Sequence, residues 1–406
     1  MSEWKKVKLG EICERVTSGG TPKANVSSYY NPPTIPWLKT KEVNYCRITE
    51  TENYISEEGL KNSSAKLISP NSVIIAMYGQ GDTAGRVAIN KIPLATNQAC
   101  CNLTIDKSKA DYEFIYYQLC TLYDKLVSLK AGAAQPNLNA RIIKNLEIIM
   151  PSLPIQHRIA TILSRYDSLI ENYQKQIKLL EEAAQRLYKE WFIDLHFPEH
   201  ENTKIVDGVP EGWEKKTIAD VCTNISSGST PSRSNKAYWE NGTIKWVKTK
   251  ELQDGWILDT EEYISQEGYN SSSTKMFPVN TILMAIYASP TLGRLGILST
   301  DCCCNQAALG LIADENIISW QWLFWKLYEL RDEFNAIARG AGQQNISGIV
   351  VKNKEIIIPD KGVIDGFTSV VSKMFEQQKS LSSQLRLLTE ARDRLLPKLM
   401  SGEITV

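Results

Sequence analysis

The chain has no run of about 18 uncharged apolar residues, the shortest stretch that crosses a bilayer as a helix, so its 406 residues contain no helical membrane span. Its opening, MSEWKKVKLGEICERV, lacks the apolar core and the cleavage site of a secretory leader, which predicts a cytoplasmic protein. There is no C-x-x-C pair, and the three histidines (His157, His196, His200) stand at no ligand spacing from a cysteine, so no metal site is expected. Charge of one sign is not in excess either: 46 basic side chains balance 46 acidic ones, which removes the usual compositional sign of nucleic-acid binding. The cysteines are odd in number, nine, and Cys302, Cys303 and Cys304 are adjacent, the pattern of reduced thiols and not of a disulfide framework. What remains is an ordinary globular composition, 43% apolar, long enough for two or three units at about 100–200 residues each.

The informative feature is internal. Ile35–Glu42 reads IPWLKTKE and Ile244–Glu251 reads IKWVKTKE, an offset of 209. That offset also carries Trp4 onto Trp213, Gly19, Thr21 and Pro22 onto Gly228, Thr230 and Pro231, and SVIIAMY (72–78) onto TILMAIY (281–287). After one residue is lost behind Tyr78, an offset of 208 matches Gly85-Arg86 with Gly293-Arg294, and Asn97-Gln98-Ala99 with Asn305-Gln306-Ala307. It continues through Gly132, Gln135 and Asn137 onto Gly340, Gln343 and Asn345. A register this long, broken once in a loop, makes the chain two copies of one unit.

Each copy begins with about 150 residues of short β-branched runs, Gly/Pro/Asn turns, an aromatic-rich helix (Tyr112 to about Leu129 in the first) and a closing strand before Pro151 or Pro359. This predicts an α+β globule. A long helix follows. Its apolar stripe runs through Ile159, Ile162, Tyr166, Leu180 and Trp191 in the first copy, and Phe367, Val370, Leu385, Leu388 and Leu399 in the second. Pro154 suits the start and Gly402 the stop. Each stripe needs a partner, and the expectation is an antiparallel coiled coil of the two helices, the alternative being helices laid on their own globules. The expected division is 1–150, first globule; 151–195, central helix; 196–210, a linker without periodicity; 211–358, second globule; 359–406, C-terminal helix.

Catalytic motifs do not survive inspection. Asn31-Pro32-Pro33-Thr34 resembles the N/D-P-P-aromatic motif of amino-group DNA methyltransferases, but Thr34 cannot stack on a flipped base, and the counterpart Glu240-Asn241-Gly242-Thr243 is a turn. YGQGDTAGR (78–86) lacks the GK[ST] ending of a phosphate loop. Three clustered histidines cannot furnish a Ser/His/Asp set twice. No catalytic residue and no cofactor is expected in this chain.

The shared polar turns are candidates for nucleic-acid contact. Ser18, Thr21, Ser227 and Thr230 offer hydroxyls for phosphates. Lys39-Thr40-Lys41 and Lys248-Thr249-Lys250 place two lysines around a threonine, on one face if the segment is a strand. Tyr78 with Arg86, and Tyr287 with Arg294, flank the variable loop. Asn97, Gln98, Asn305 and Gln306 carry amides able to pair with a base edge. For each, the alternative is solvated surface or turn chemistry.

These stretches together, with GVPEGWE (208–214), KEWFIDLHFP (189–198) and LLPKLMSGEI (395–404), resemble the specificity subunits of type I restriction–modification systems over essentially the whole length. The resemblance implies two target recognition domains, each reading half of a bipartite double-stranded DNA sequence, and helices that set the gap. It also implies two methylation subunits docked as partners, bringing S-adenosylmethionine, and motor–nuclease subunits beyond them. The chain departs from the family where the second helix opens: PDKGVIDGFT lacks the counterparts of Pro154 and Gln156 in PSLPIQHRIA. Differences between the copies at 23–33 and 232–242 predict unlike half-sites. The alternative function is a stand-alone coiled-coil scaffold or DNA-binding regulator.

Overall fold

A computed structural model describes residues 4–131, 137–287, 291–340 and 345–406. The repeat matches at Gly132, Gln135 and Gln343, and the variable-loop residues 288–290, lie outside them. The chain forms two compact units, residues 1–170 with 388–406, and residues 171–387.

The first unit holds strands β1 (Lys5–Lys8), β2 (Cys13–Ser18), β3 (Ile35–Leu38), β4 (Cys46–Ile48), β5 (Tyr54–Ile55), β6 (Leu67–Ile68), β7 (Val73–Ala76), β8 (Val87–Asn90), β9 (Leu94–Thr96), β10 (Cys100–Ile105) and β11 (Glu147–Met150). Helices α1 (Glu57–Lys61), α2 (Tyr112–Thr121), α3 (Tyr123–Ala131) and α4 (Ala140–Lys144) accompany them, and α5 (Leu153–Phe192) begins in this unit. A five-stranded sheet runs β2-β10-β7-β8-β4, beside a four-stranded β5-β3-β9-β6 and the pair β1-β11. β7 is apolar and buried on both faces, as a central strand should be.

The second unit repeats this. Its strands are β12 (Ile205–Val206), β13 (Val209–Pro210), β14 (Glu214–Thr217), β15 (Cys222–Ser227), β16 (Ile244–Val247), β17 (Gly255–Ile257), β18 (Glu262–Ile264), β19 (Ile282–Ala285), β20 (Leu295–Leu298), β21 (Cys303–Cys304), β22 (Ala308–Ala313) and β23 (Glu355–Ile358). Its helices are α6 (Gln266–Asn270), α7 (Trp320–Glu329), α8 (Arg331–Gly340), α9 (Gly348–Lys352) and the start of α10 (Lys361–Ser401). The large sheet, β15-β22-β19-β20-β17, has the order of its counterpart strand for strand. The repeat reaches the backbone: Tyr45 and Asp254, and Asn71 and Asn280, are left-handed pairs 209 residues apart, and Ser56 and Ser265 cap α1 and α6 in the same way.

Two expectations change, and one departure from the family finds its explanation. The aromatic-rich helix is two helices, α2 and α3, with the chain turning at Leu122. Phe114 and Leu126 enter one core, which a straight rod could not offer to the same sheet. Residues 196–210 are not a featureless linker. β12 and β13 form a hairpin whose two turn residues, Asp207 (φ 50°) and Gly208 (φ 81°), both occupy the left-handed region. Phe197, buried, packs its ring 5.4 Å from that of Trp213. Finally, α10 starts cleanly without the proline and glutamine, because Asp360 Oδ1 accepts from Gly362 N at 2.7 Å; buried Ile364 takes the place of buried Gln156.

α5 and α10, 40 and 41 residues, are about 60 Å long at ~1.5 Å per residue. They pack together, and they lie on the globules as well. In the first unit Ile159, Ala160 and Leu163 of α5 join Leu399 and Met400 of α10 in one core with the large sheet and α2. In the second unit Ala184 and Tyr188 of α5 join Ile364, Phe367, Val371 and Phe375 of α10. The start of α5 meets the end of α10 and vice versa, so the helices run in opposite directions. Among the stripe residues, Ile159, Phe367 and Leu399 are buried in this chain's own cores, Ile162, Tyr166, Leu180, Trp191, Leu385 and Leu388 are half-buried, and Val370 is exposed.

Candidate nucleic-acid interface

Three of the repeated motifs converge in each unit. β3 and β9 are parallel, pairing Trp37 with Ala95 and Leu38 with Thr96, so the segments that follow them leave the sheet side by side. One is Lys39-Thr40-Lys41, the other Asn97-Gln98. The turn after β2 joins them: Trp37 Nε1 donates to Gly20 O at 3.1 Å, and the Thr21 hydroxyl donates to Gln98 Oε1. The second unit builds the same cluster. Trp246 Nε1 donates to Ser229 O at 3.0 Å, Thr230 Oγ1 donates to Gln306 Oε1, and Trp246 pairs with Cys303 in register. Gly19 and Gly228 are glycines because a Cβ there would lie 2.2 Å from the Thr96 and Asn97 carbonyl oxygens, or 2.1 Å from that of Cys304.

The lysines do not share a strand face. β3 ends at Leu38, and Thr40–Glu42 is a 3-10 turn, as is Thr249–Glu251. The reason is Glu42, whose Oε1 accepts from Lys39 N at 3.0 Å while Oε2 accepts from Glu52 N at 2.9 Å. This carboxylate pins the turn and halts pairing. Lys39 and Lys41 consequently diverge. Lys39 Nζ donates to Asn53 Oδ1 at 2.9 Å, and Lys41 pairs with Glu52, whose hydrogen bond raises the lysine pKa. In the second unit Lys248 pairs with Glu261 at 3.0 Å and Glu262 at 2.7 Å, and Lys250 with Glu261 at 2.6 Å. The hydrogen bond from Lys250 holds Glu261 below the ordinary carboxylate range.

The other candidates divide. Ser18 is exposed at the end of β2, while Thr40 is buried. Arg86 is tied to Asn44 Oδ1 at 2.9 Å and Asp82 Oδ1 at 2.7 Å, so it braces its own loop. Tyr78 packs against the first core, whereas Tyr287 is 40% exposed. Ser227, Thr249, Arg294 and Asn305 are half-buried. Asn97 Oδ1 accepts from the Cys100 thiol at 3.3 Å, a local bond.

One constellation had no signal in the sequence pattern. Asp167, buried on α5, accepts from Arg47 at 2.9 Å, Tyr117 Oη at 2.5 Å and Arg392 of α10 at 2.9 Å. Arg47 also reaches Glu113 at 2.6 Å. These residues come from four distant stretches, with no shared spacing. Among the described residues no group of three His, Cys, Asp or Glu side chains could hold a metal, and no helix is long and apolar enough to cross a membrane.

Two copies of one α+β globule, each displaying the same Thr–Gln–Lys cluster, constitute a duplicated binding protein. The family model described as type I restriction modification DNA specificity domain matches residues 1–182 and 210–381, and the chain belongs to that family. It is 30% identical over 417 residues to the type I restriction enzyme MjaIX specificity subunit of Methanocaldococcus jannaschii, covering 100% of this chain and 94% of that relative. It is 24% identical to the HindI specificity subunit of Haemophilus influenzae, over the full length of both. The fold matches the crystal structure of a type I restriction–modification system S subunit from M. genitalium, with a TM-score of 0.68 at 17% identity over 98% of this chain and 96% of that one.

Proposed function

We propose that this chain is the DNA-recognition subunit of a type I restriction–modification complex and is not itself a catalyst. Residues 1–150 read one half of a bipartite duplex target and residues 211–358 the other. The helices of 151–195 and 359–406 set the gap and dock two methylation subunits, which carry S-adenosylmethionine and methylate adenine; motor–nuclease subunits are further partners. The observation that supports this reading is the cluster built twice. Gln98 and Gln306 spend Oε1 on a threonine, which leaves Nε2 as the donor for a base edge. Lys41 and Lys250, exposed beside them, supply charge for phosphates. The loops around the clusters differ, so the two half-sites should differ as well.

Mapping methylated adenines in cells with and without the chain tests the proposal. A gapped, two-part motif should vanish on deletion, and its persistence would refute the reading. The scaffold or stand-alone regulator predicts instead that no methyltransferase co-purifies.

A further inference from the structure

The first unit contains a cleft of about 570 Å³ whose walls include Thr21, Tyr30, Trp37, Lys39, Asn53 and Tyr54. Tyr30 stands edge-on to Trp37, ring centroids 6.3 Å apart. Lys39 lies 5.2 Å over the Trp37 ring and holds Asn53. Ala24 is at its edge. Every one of these positions has a counterpart 209 residues on, and two of them change chemistry together: Ala24 becomes Arg233 and Asn53 becomes Glu262. The Arg233 guanidinium sits 3.6 Å from the centre of the Trp239 ring, the counterpart of Tyr30, and 5.0 Å from that of Trp246. It also pairs with Glu262 at 2.6 Å. The second unit therefore places its own side chain where the first leaves space.

A guanidinium is a flat, delocalised plane that stacks on indole and donates hydrogen bonds at its edge. The group suited to the same walls in the first unit is another flat plane with a hydrogen-bonding edge, stacked on aromatic rings and met by a lysine and an amide. Nucleobases have this chemistry. We propose that the cleft of the first unit takes a single nucleobase of the target DNA, unstacked from the duplex, and that Arg233 closes the equivalent place in the second unit. This rests on the DNA-recognition reading above and adds the means: one half-site is read by base capture, the other by a preformed surface.

The test transplants one arrangement into the other. Ala24→Arg with Asn53→Glu fills the first cleft at constant net charge, and Arg233→Ala with Glu262→Asn opens the second. The full chain with its methylation partners is titrated with target duplexes carrying 2-aminopurine at each position of the mapped motif in turn. Apart from the adenines that the methylation subunits themselves extrude, one further position, in one half-site only, should brighten on binding, and the filled variant should abolish that signal alone and weaken the target complex on the order of tenfold. Preference at the other half-site should be unchanged. If no position brightens beyond the methylated adenines, or the filled variant binds with wild-type affinity, the proposal is overturned. Should the filled variant not fold, Tyr54→Ala, on an exposed side chain at the rim, must dim the same position; undiminished signal overturns it equally. Deoxynucleoside monophosphates form a separate arm: saturable quenching of tryptophan fluorescence by them, with DNA affinity intact in the filled variant, would assign the cleft to a free nucleotide. A wild-type complex that selects no bipartite sequence would instead sink the DNA-recognition reading itself.

Discussion

A single hydrogen atom is all that fits on the α-carbon of Gly19 or Gly228, since a Cβ would overlap the backbone of the neighbouring strand. Gly19→Ala or Gly228→Ala should therefore cost about 1–3 kcal/mol, the range of overpacking, read as a lowered urea midpoint; Ser18→Ala, on an exposed side chain, should leave it unchanged. Glu261 binds two lysines at the surface, so Glu261→Gln should tighten DNA binding by the complex and steepen its salt dependence. Lys250→Ala should do the reverse, lowering the slope by about one; affinities that match wild type at every salt concentration for both variants would remove these lysines from the interface. Burial pushes the Cys13, Cys222 and Cys303 thiols up to about 12. Because the thiolate is the reactive form, iodoacetamide at pH 8 should label them only after denaturation, as counted by mass. At this scale the motifs were legible in the sequence but their geometry was not. Lys39-Thr40-Lys41 alternates like a strand, yet the residue that decides, Glu42, acts through a hydrogen bond to Glu52, ten positions on.

Elements were more legible than residues, where their cues are local. The closing strands, the buried β7, the start of α5 and the stop of α10 follow from short-range patterns, and Gly402, at φ 76°, stops α10 as a C-terminal glycine does. The hairpin β12–β13 was equally local, in Val206-Asp207-Gly208-Val209, but its two-residue strands are too short for periodicity to register. The helix stripes were legible only in part. On α5 the apolar Leu169 is exposed while Asp167 is buried, because the helix must face a globule as well as α10, and the globule supplies Arg47. Replacing that carboxylate leaves Arg47 and Arg392 without it in a buried site. Asp167→Ala should cost about 3–5 kcal/mol, the cost of breaking a buried pair, seen as a drop in thermal stability; a variant as stable as wild type would show the network to be dispensable.

At the scale of the whole chain, the repeat made the architecture readable, since one register accounts for two sheets of identical strand order. The cleft difference was not readable, because Ala24 and Arg233 have meaning only once Trp239 and Glu262 are seen around the guanidinium. Neutral net charge also reads differently by halves: residues 1–150 hold 18 basic and 14 acidic side chains, and 211–358 hold 14 and 17. Neither globule has a strong nonspecific field, so the isolated chain should bind its target much more weakly than the assembled complex does; equal affinity in a side-by-side titration would contradict this. The units are also unequal in continuity. The second is one stretch, 171–387, whereas the first needs 388–406 to complete it. Deleting 388–406 should remove the melting transition of the first unit while sparing that of the second.

That discontinuity has a consequence for birth on the ribosome. Leu399 and Met400, part of the first core, emerge more than two hundred residues after Ile170, the last residue of that unit's amino-terminal segment. At about 5–20 residues per second, this is a wait of roughly 10–50 s. The amino-terminal half, made first, is finished last. Its exposed apolar face during that interval is where a chaperone would be recruited, and the order of maturation runs from the carboxyl half of the chain back to the amino half.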